Sequence, residues 1–137
     1  MKKIVFIMAI CCLCGCSSSE TKEGTGTYTN TKQETASARV KMKDETIVEV
    51  ELDETTNGTT KKTLGADYHM KQASAIGKEW NEQVMFLETY IEQNGIDNIQ
   101  VNDEGKAENE DIKTGCTIVI DGFLKAIEDA KANIAKS

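Results

Sequence analysis

Ala36-Ser37-Ala38-Arg39-Val40-Lys41-Met42 and Val48-Glu49-Val50-Glu51-Leu52 decide the fold class. In the first stretch Ala36, Ala38, Val40 and Met42 alternate with Ser37, Arg39 and Lys41. In the second, Val48, Val50 and Leu52 alternate with Glu49 and Glu51. A period of two belongs to a β-strand with one buried and one wet face. The short polar link Lys43-Asp44-Glu45 joins the two strands as an antiparallel hairpin. The polar run from Asp53 to Lys62, which contains Asn57-Gly58, reads as a loop.

Helices supply the cover for the apolar face. Ile76, Trp80, Val84, Leu87 and Ile91 form one stripe at helical spacing, with Ser74 as a plausible N-cap and Asn94-Gly95 as the stop. Ile99 and Val101 suggest a short strand before the turn Asn102-Asp103-Glu104-Gly105. Phe123, Ile127, Ala130 and Ile134 share one face of a last helix. Asp121 is a candidate cap for it, with Thr117 as an alternative starting point. The reading is an α+β fold in which N-terminal antiparallel strands pack with a long central helix and a C-terminal helix.

The N-terminus reads as a targeting device. Lys2 and Lys3 precede the short apolar run Ile4 to Ile10, which is too short for a membrane-spanning helix. Leu13-Cys14-Gly15-Cys16 then fits a lipobox, with Cys16 as the acylated residue and Ser17-Ser18-Ser19-Glu20 as its polar continuation. The expected organisation is a lipoprotein signal peptide at 1–15, a polar tether at 16–27 beginning with lipidated Cys16, and one folded domain at 28–137. The expected location is the extracytoplasmic face of the cell membrane, held by acyl chains.

Composition narrows the function classes. The formal net charge is −7, and loss of Lys2 and Lys3 makes the mature chain more acidic still. Such a chain offers no basic footprint for nucleic acid. Of five cysteines, three lie in the signal and Cys16 is acylated, so Cys116 stands alone in the mature chain. No intramolecular disulfide, CxxC redox pair or cysteine-rich zinc site can form from it. The acidic stretch Glu104, Glu108, Glu110 and Asp111 lacks the alternating oxygen ligands and glycine of a calcium loop.

The chemically distinctive stretch is Asp111-Ile112-Lys113-Thr114-Gly115-Cys116-Thr117. Its pattern, Asp-x-x-(Ser/Thr)-Gly-(small)-Thr, resembles the acceptor motif on which a flavin transferase joins FMN through its phosphate to a threonine hydroxyl. Glycine permits a backbone turn where a side chain would clash, and small neighbours leave room for the ribityl phosphate. A helix starting just after the acceptor would present N–H groups and its positive dipole end to the phosphodiester. Two further blocks extend the likeness: Leu64-Gly65-Ala66-Asp67-Tyr68-His69-Met70-Lys71, continuing into Ile76-Gly77-Lys78-Glu79-Trp80-Asn81-Glu82-Gln83, and Phe123-Leu124-Lys125-Ala126-Ile127-Glu128-Asp129-Ala130. Together these resemble the FMN-binding domain family, in the version found in Gram-positive surface lipoproteins.

The resemblance implies a covalent FMN on Thr117, with Thr114, Gly115 and Cys116 as the recognition frame and Asp111 as the transferase's anchoring acid. It implies an electron carrier rather than a stand-alone enzyme, without catalytic residues of its own. The implied partners are a flavin transferase, a quinol-linked or flavoprotein electron donor, and the membrane through the lipid anchor. Cys116 stands where family members usually carry alanine. Tyr68, His69 and Met70, on a non-periodic stretch, are candidate flavin contacts, with His69 also conceivable as a proton donor or a plain surface histidine. Trp80 lies on the helical stripe and reads first as core, with ring stacking as the alternative. Cys116 reads first as a small packed residue, with redox chemistry as the alternative. The competing functional class is a surface lipoprotein module that binds flavin or another ligand without a covalent bond or a redox role. A subunit of a larger membrane redox complex is a third reading.

Overall fold

The computed structural model describes residues 20–137. The signal peptide, the lipobox and Cys16 lie outside the described residues. Four strands form one antiparallel sheet in the order β1-β2-β3-β4: β1 Lys22–Thr29, β2 Thr35–Lys43, β3 Thr46–Thr56 and β4 Thr59–Thr60. The short helix α1 (Lys61–Leu64) runs into a 3-10 turn, Gly65–Tyr68. The long helices are α2 (Trp80–Asn94) and α4 (Asp121–Lys136), with the one-turn helix α3 (Glu110–Lys113) between them. The fold is α+β. Among the described residues no helix is long and apolar enough to cross a membrane.

Ala36, Ala38, Val40, Ile47, Val50 and Leu52 form the inner face of the sheet. They meet Trp80, Val84, Leu87 and Ile91 of α2 and Phe123, Ala126, Ile127 and Ala130 of α4 in one core. The outer face is wet, with Arg39 paired to Glu23 and Glu51, and Lys41 paired to Glu49.

Both helices also close a sheet edge. On β3, the Val50 amide donates to Glu92 at 3.0 Å and the Leu52 amide donates to Glu88 at 2.7 Å. Glu88 and Glu92 are one turn apart on α2, so their carboxylates track alternate amides of the strand. On β1, the Thr27 amide donates to Asp129 at 3.0 Å, and Asn133 donates to the Thr25 carbonyl at 2.8 Å. Edge amides that would otherwise template strand addition are thereby occupied.

Five expectations change. The run from Asp53 to Lys62 is not one loop: β3 continues to Thr56, and β4 and the start of α1 follow. The tether stops short of Thr27, because residues 22–27 belong to β1, which pairs with β2 from Lys22↔Met42 to Thr29↔Thr35. The physical reason is α4: a Cβ on Gly26 would sit 2.2 Å from the Ala126 carbonyl oxygen and the Ala130 nitrogen. Helix backbone lies directly on the strand, so the strand needs glycine there. Val48 points outward, because the register slips opposite Lys41/Met42 and a bulge puts Ile47 inward instead. The central helix begins at Trp80, so Ile76 precedes it and Ser74 is not its cap. Ser74 Oγ accepts from the Ile76 and Lys78 amides in a turn that ends at Gly77, whose φ is +65°. Helix entry falls instead at Glu79, whose amide donates to the Glu82 carboxylate at 2.7 Å. Ile99 and Val101 form no strand beyond the single bridge Val101↔Ala107.

Helix α4 starts at Asp121, and Asp121 does not cap it through its side chain. The Gly105 carbonyl accepts from the Ile120 and Asp121 amides at 2.7 and 3.1 Å. These two N–H groups are therefore committed to the turn at Gly105, which leaves the Gly122 and Phe123 amides at the cavity end of the helix.

Candidate functional site

A cavity of about 640 Å³ opens between the start of β2, the loop after the 3-10 turn, α2 and the start of α4. Its aromatic wall is Tyr28, Trp80 and Phe123, its polar groups include Lys61 and Gln83, and Thr117 lines it as well. Ligand pockets for small molecules typically span about 300–1,000 Å³. Trp80 is buried in the core, tilted against Phe123 at 6.0 Å between ring centroids and edge-on to Tyr68 at 6.4 Å. It serves packing and lines the cavity at once.

The stretch from Asp111 to Thr117 is partly packed away: Ile112, Gly115 and Cys116 are buried, while Asp111 and Thr114 are exposed. Asp111 lies on exposed α3, where its carboxylate accepts the Ile112 amide at 3.0 Å. The Thr114 hydroxyl donates to the Asp111 carbonyl at 2.7 Å. Gly115 is buried under Phe86, and a Cβ there would meet the ring at 2.2 Å. The clash that requires glycine therefore comes from a side chain of α2. Cys116 is fully buried, and burial pushes its thiol up to about 11. A thiol held protonated in this way is a weak nucleophile, which favours the packing role over redox chemistry.

Thr117 is half-buried and held by Gln83. Gln83 Oε1 accepts from the Thr117 amide at 2.9 Å, and the Thr117 hydroxyl donates to the same oxygen at 3.4 Å. The amide nitrogen of Gln83 donates to Ser74 Oγ at 3.1 Å and to the Lys78 carbonyl at 3.2 Å. Gln83 has no exposed surface. One buried amide thus ties Thr117 to the loop that forms another wall of the cavity. Sequence reasoning missed Gln83. The available signal was a polar residue on the buried stripe, one turn from Trp80 and beside Val84.

The three candidates in the upstream block separate. Met70 lines the cavity, and its amide donates to the Glu79 carboxylate at 3.1 Å. Tyr68 is half-buried behind Trp80. His69 is exposed in the left-handed region at φ 56°, where it ends the 3-10 turn, and it is not part of the cavity lining.

Lys61 is the unexpected member of the wall. It is 6% exposed, pairs with Glu54, and lies 3.8 Å from a Glu34 oxygen. Its ammonium stands 5.1 Å from the Tyr68 ring centroid and 5.7 Å from that of Trp80. Burial works against its charge, but Glu54 and the Tyr68 hydroxyl outweigh it and hold its pKa above the ordinary lysine value. At the rim, Lys125 lies over Tyr28 at 4.3 Å and pairs with Asp121.

No family model matches the chain, and no curated protein matches it. Among solved structures, a solution NMR structure of a structural-genomics target protein from Clostridium thermocellum is similar. It shares 18% sequence identity, with 84% of this chain and 91% of that chain covered and a TM-score of 0.49.

Proposed function

We propose that this chain is a lipid-anchored extracytoplasmic electron carrier with FMN joined through its phosphate to Thr117. The observation that carries the reading is the placement of the motif. Of its residues from Asp111 to Thr117, Thr117 alone lines the cavity, while Gly115 and Cys116 are interior. The volume, the aromatic wall and the amide and ammonium groups on it suit a flat heteroaromatic ring of flavin size. When bound, FMN supplies the electron-accepting ring; the protein supplies placement and surroundings.

Attachment requires an activated donor, a flavin joined by pyrophosphate to a second nucleotide. The Thr117 Oγ1–phosphorus bond would form as the pyrophosphate P–O bond breaks, and the nucleoside monophosphate would leave. The hydroxyl proton passes to a base on the transferase. Within this chain, Gln83 fixes the Thr117 backbone through its amide and accepts from the hydroxyl, so the acceptor oxygen is presented in one orientation. Cys16, as the lipidated residue, would keep the carrier beside a quinol-linked or flavoprotein donor outside the cytoplasmic membrane.

A second reading keeps the cavity and drops the covalent bond. The half-buried state of the Thr117 hydroxyl and its bond to Gln83 favour it, because a separate enzyme must reach that oxygen. The two readings part on a denaturing gel under ultraviolet light after co-expression with a flavin transferase. Fluorescence that survives denaturation and disappears in Thr117→Ala supports the carrier. A dark wild-type band beside a labelled control substrate would leave only the non-covalent reading.

A further inference from the structure

Lys61 holds hydrogen-bonding capacity that the protein does not use. An ammonium has three N–H donors; Glu54 accepts one, and the Tyr68 hydroxyl is a second polar partner, which leaves one donor. The Glu34 oxygen at 3.8 Å is an ion-pair neighbour beyond hydrogen-bond distance. A buried charge with unspent donors is costly unless an acceptor completes it. Lys61, Glu34, Glu54 and Trp80 all line the cavity, so the ammonium borders the space a ligand would fill.

The local charge decides which ligand group suits them. Two carboxylates flank one ammonium, so the cluster as a whole is negative and repels a phosphate. It tolerates a neutral acceptor, such as a ring carbonyl or ring nitrogen. The indole of Trp80 and the rings of Tyr28 and Phe123 along the same wall suit a flat partner.

We propose that Lys61 donates a hydrogen bond to the carbonyl-bearing edge of a neutral planar heteroaromatic ring in the cavity, and that it does not bind the phosphate. This rests on the flavin reading for the identity of the ring, which would present its dione edge to Lys61. Thr117 and Lys61 then hold opposite parts of one ligand: Thr117 its phosphate end, Lys61 its ring.

The test is riboflavin, which carries the ring without the phosphate, titrated into the full chain and followed by flavin fluorescence. Lys61→Met is expected to weaken binding at least tenfold, and Lys61→Arg about threefold or less. Inorganic phosphate is expected not to compete. Because Lys61→Met strands Glu54, the Lys61→Met/Glu54→Gln double variant is measured alongside, with folding checked by near-ultraviolet circular dichroism. In the wild-type chain, the Lys61 Cε resonance is expected to shift on riboflavin addition more than those of exposed lysines. Equal binding by folded Lys61→Met, competition by phosphate, an unmoved Lys61 resonance, or no riboflavin binding by the wild type would each overturn the assignment. Covalent labelling is scored separately. Labelled Thr117 with riboflavin binding that ignores Lys61 sinks this assignment and leaves the carrier standing. Lys61-dependent riboflavin binding without label does the reverse.

Discussion

Replacing Gln83 with leucine removes the amide that joins the acceptor threonine to the cavity loop while nearly preserving volume. The effect is therefore one of hydrogen bonds rather than of a void. Five bonds go: two from Thr117 and three from the Gln83 nitrogen, to Ser74 Oγ, the Lys78 carbonyl and, weakly, the Met70 sulfur. Ser74 Oγ keeps the Ile76 and Lys78 amides as partners, so its loss is small. The Thr117 amide loses the acceptor it has in the fold, and an orphaned, partly buried donor costs about 1–3 kcal/mol. Gain from burying leucine offsets part of this, and the net destabilisation expected is about 2 kcal/mol. With a urea m-value of about 2 kcal/mol per molar, the midpoint drops by about 1 M at unchanged m. On the proposed carrier function, transfer of flavin to Thr117 is expected to slow as well, since the hydroxyl loses its fixed orientation. A midpoint equal to or above that of the wild type would refute the assignment of Gln83 as the structural tie.

Three other outcomes follow from the packing. Gly26→Ala forces a Cβ into the backbone of α4 and is expected to cost about 3 kcal/mol or more, or to prevent folding; an unchanged thermal midpoint would contradict the direct strand–helix contact. Glu88→Ala strips the Leu52 amide and Lys62 of their shared partner, and is expected to destabilise by about 1–3 kcal/mol, with faster hydrogen exchange at Leu52 as the local signature. Cys116 titrates from the ordinary thiol value in the unfolded chain and from about 11 in the folded one. The folded state thus keeps its proton longer, so this contribution is present below about pH 9 and is lost as pH rises toward 11. Urea midpoints of the wild type and Cys116→Ala should converge over that range, and parallel pH curves would show that the thiol does not contribute.

The β2–β3 hairpin and the buried faces of α2 and α4 were legible because burial imposes periods of two and 3.6 on the side chains. What escaped had specific causes. Strand β1 reads as a linker, Lys22-Glu23-Gly24-Thr25-Gly26-Thr27, because the close approach of α4 selects glycine, the residue that also marks flexible tethers. The outward turn of Val48 depends on a bulge, and one extra residue in a ladder leaves no mark on composition. Ser74 carries out local capping bonds, but the chain turns again at Gly77 before the helix begins. In the site, the motif itself was visible, yet its burial was not. Gln83 and Lys61 were hidden because each takes its role partly from partners far away in sequence: Thr117 is 34 residues from Gln83, and Glu34 and Trp80 reach Lys61 through strand pairing and helix packing.

The central claim concerns one oxygen atom, Thr117 Oγ1. Intact-mass spectrometry of the protein co-expressed with a flavin transferase, followed by fragmentation of the peptide that contains residues 111–117, tests it most directly. The account predicts a mass gain of one FMN less one water, located on Thr117 and lost in Thr117→Ala. An unmodified mass alongside a fully modified control substrate, or a flavin located on Thr114, would contradict it.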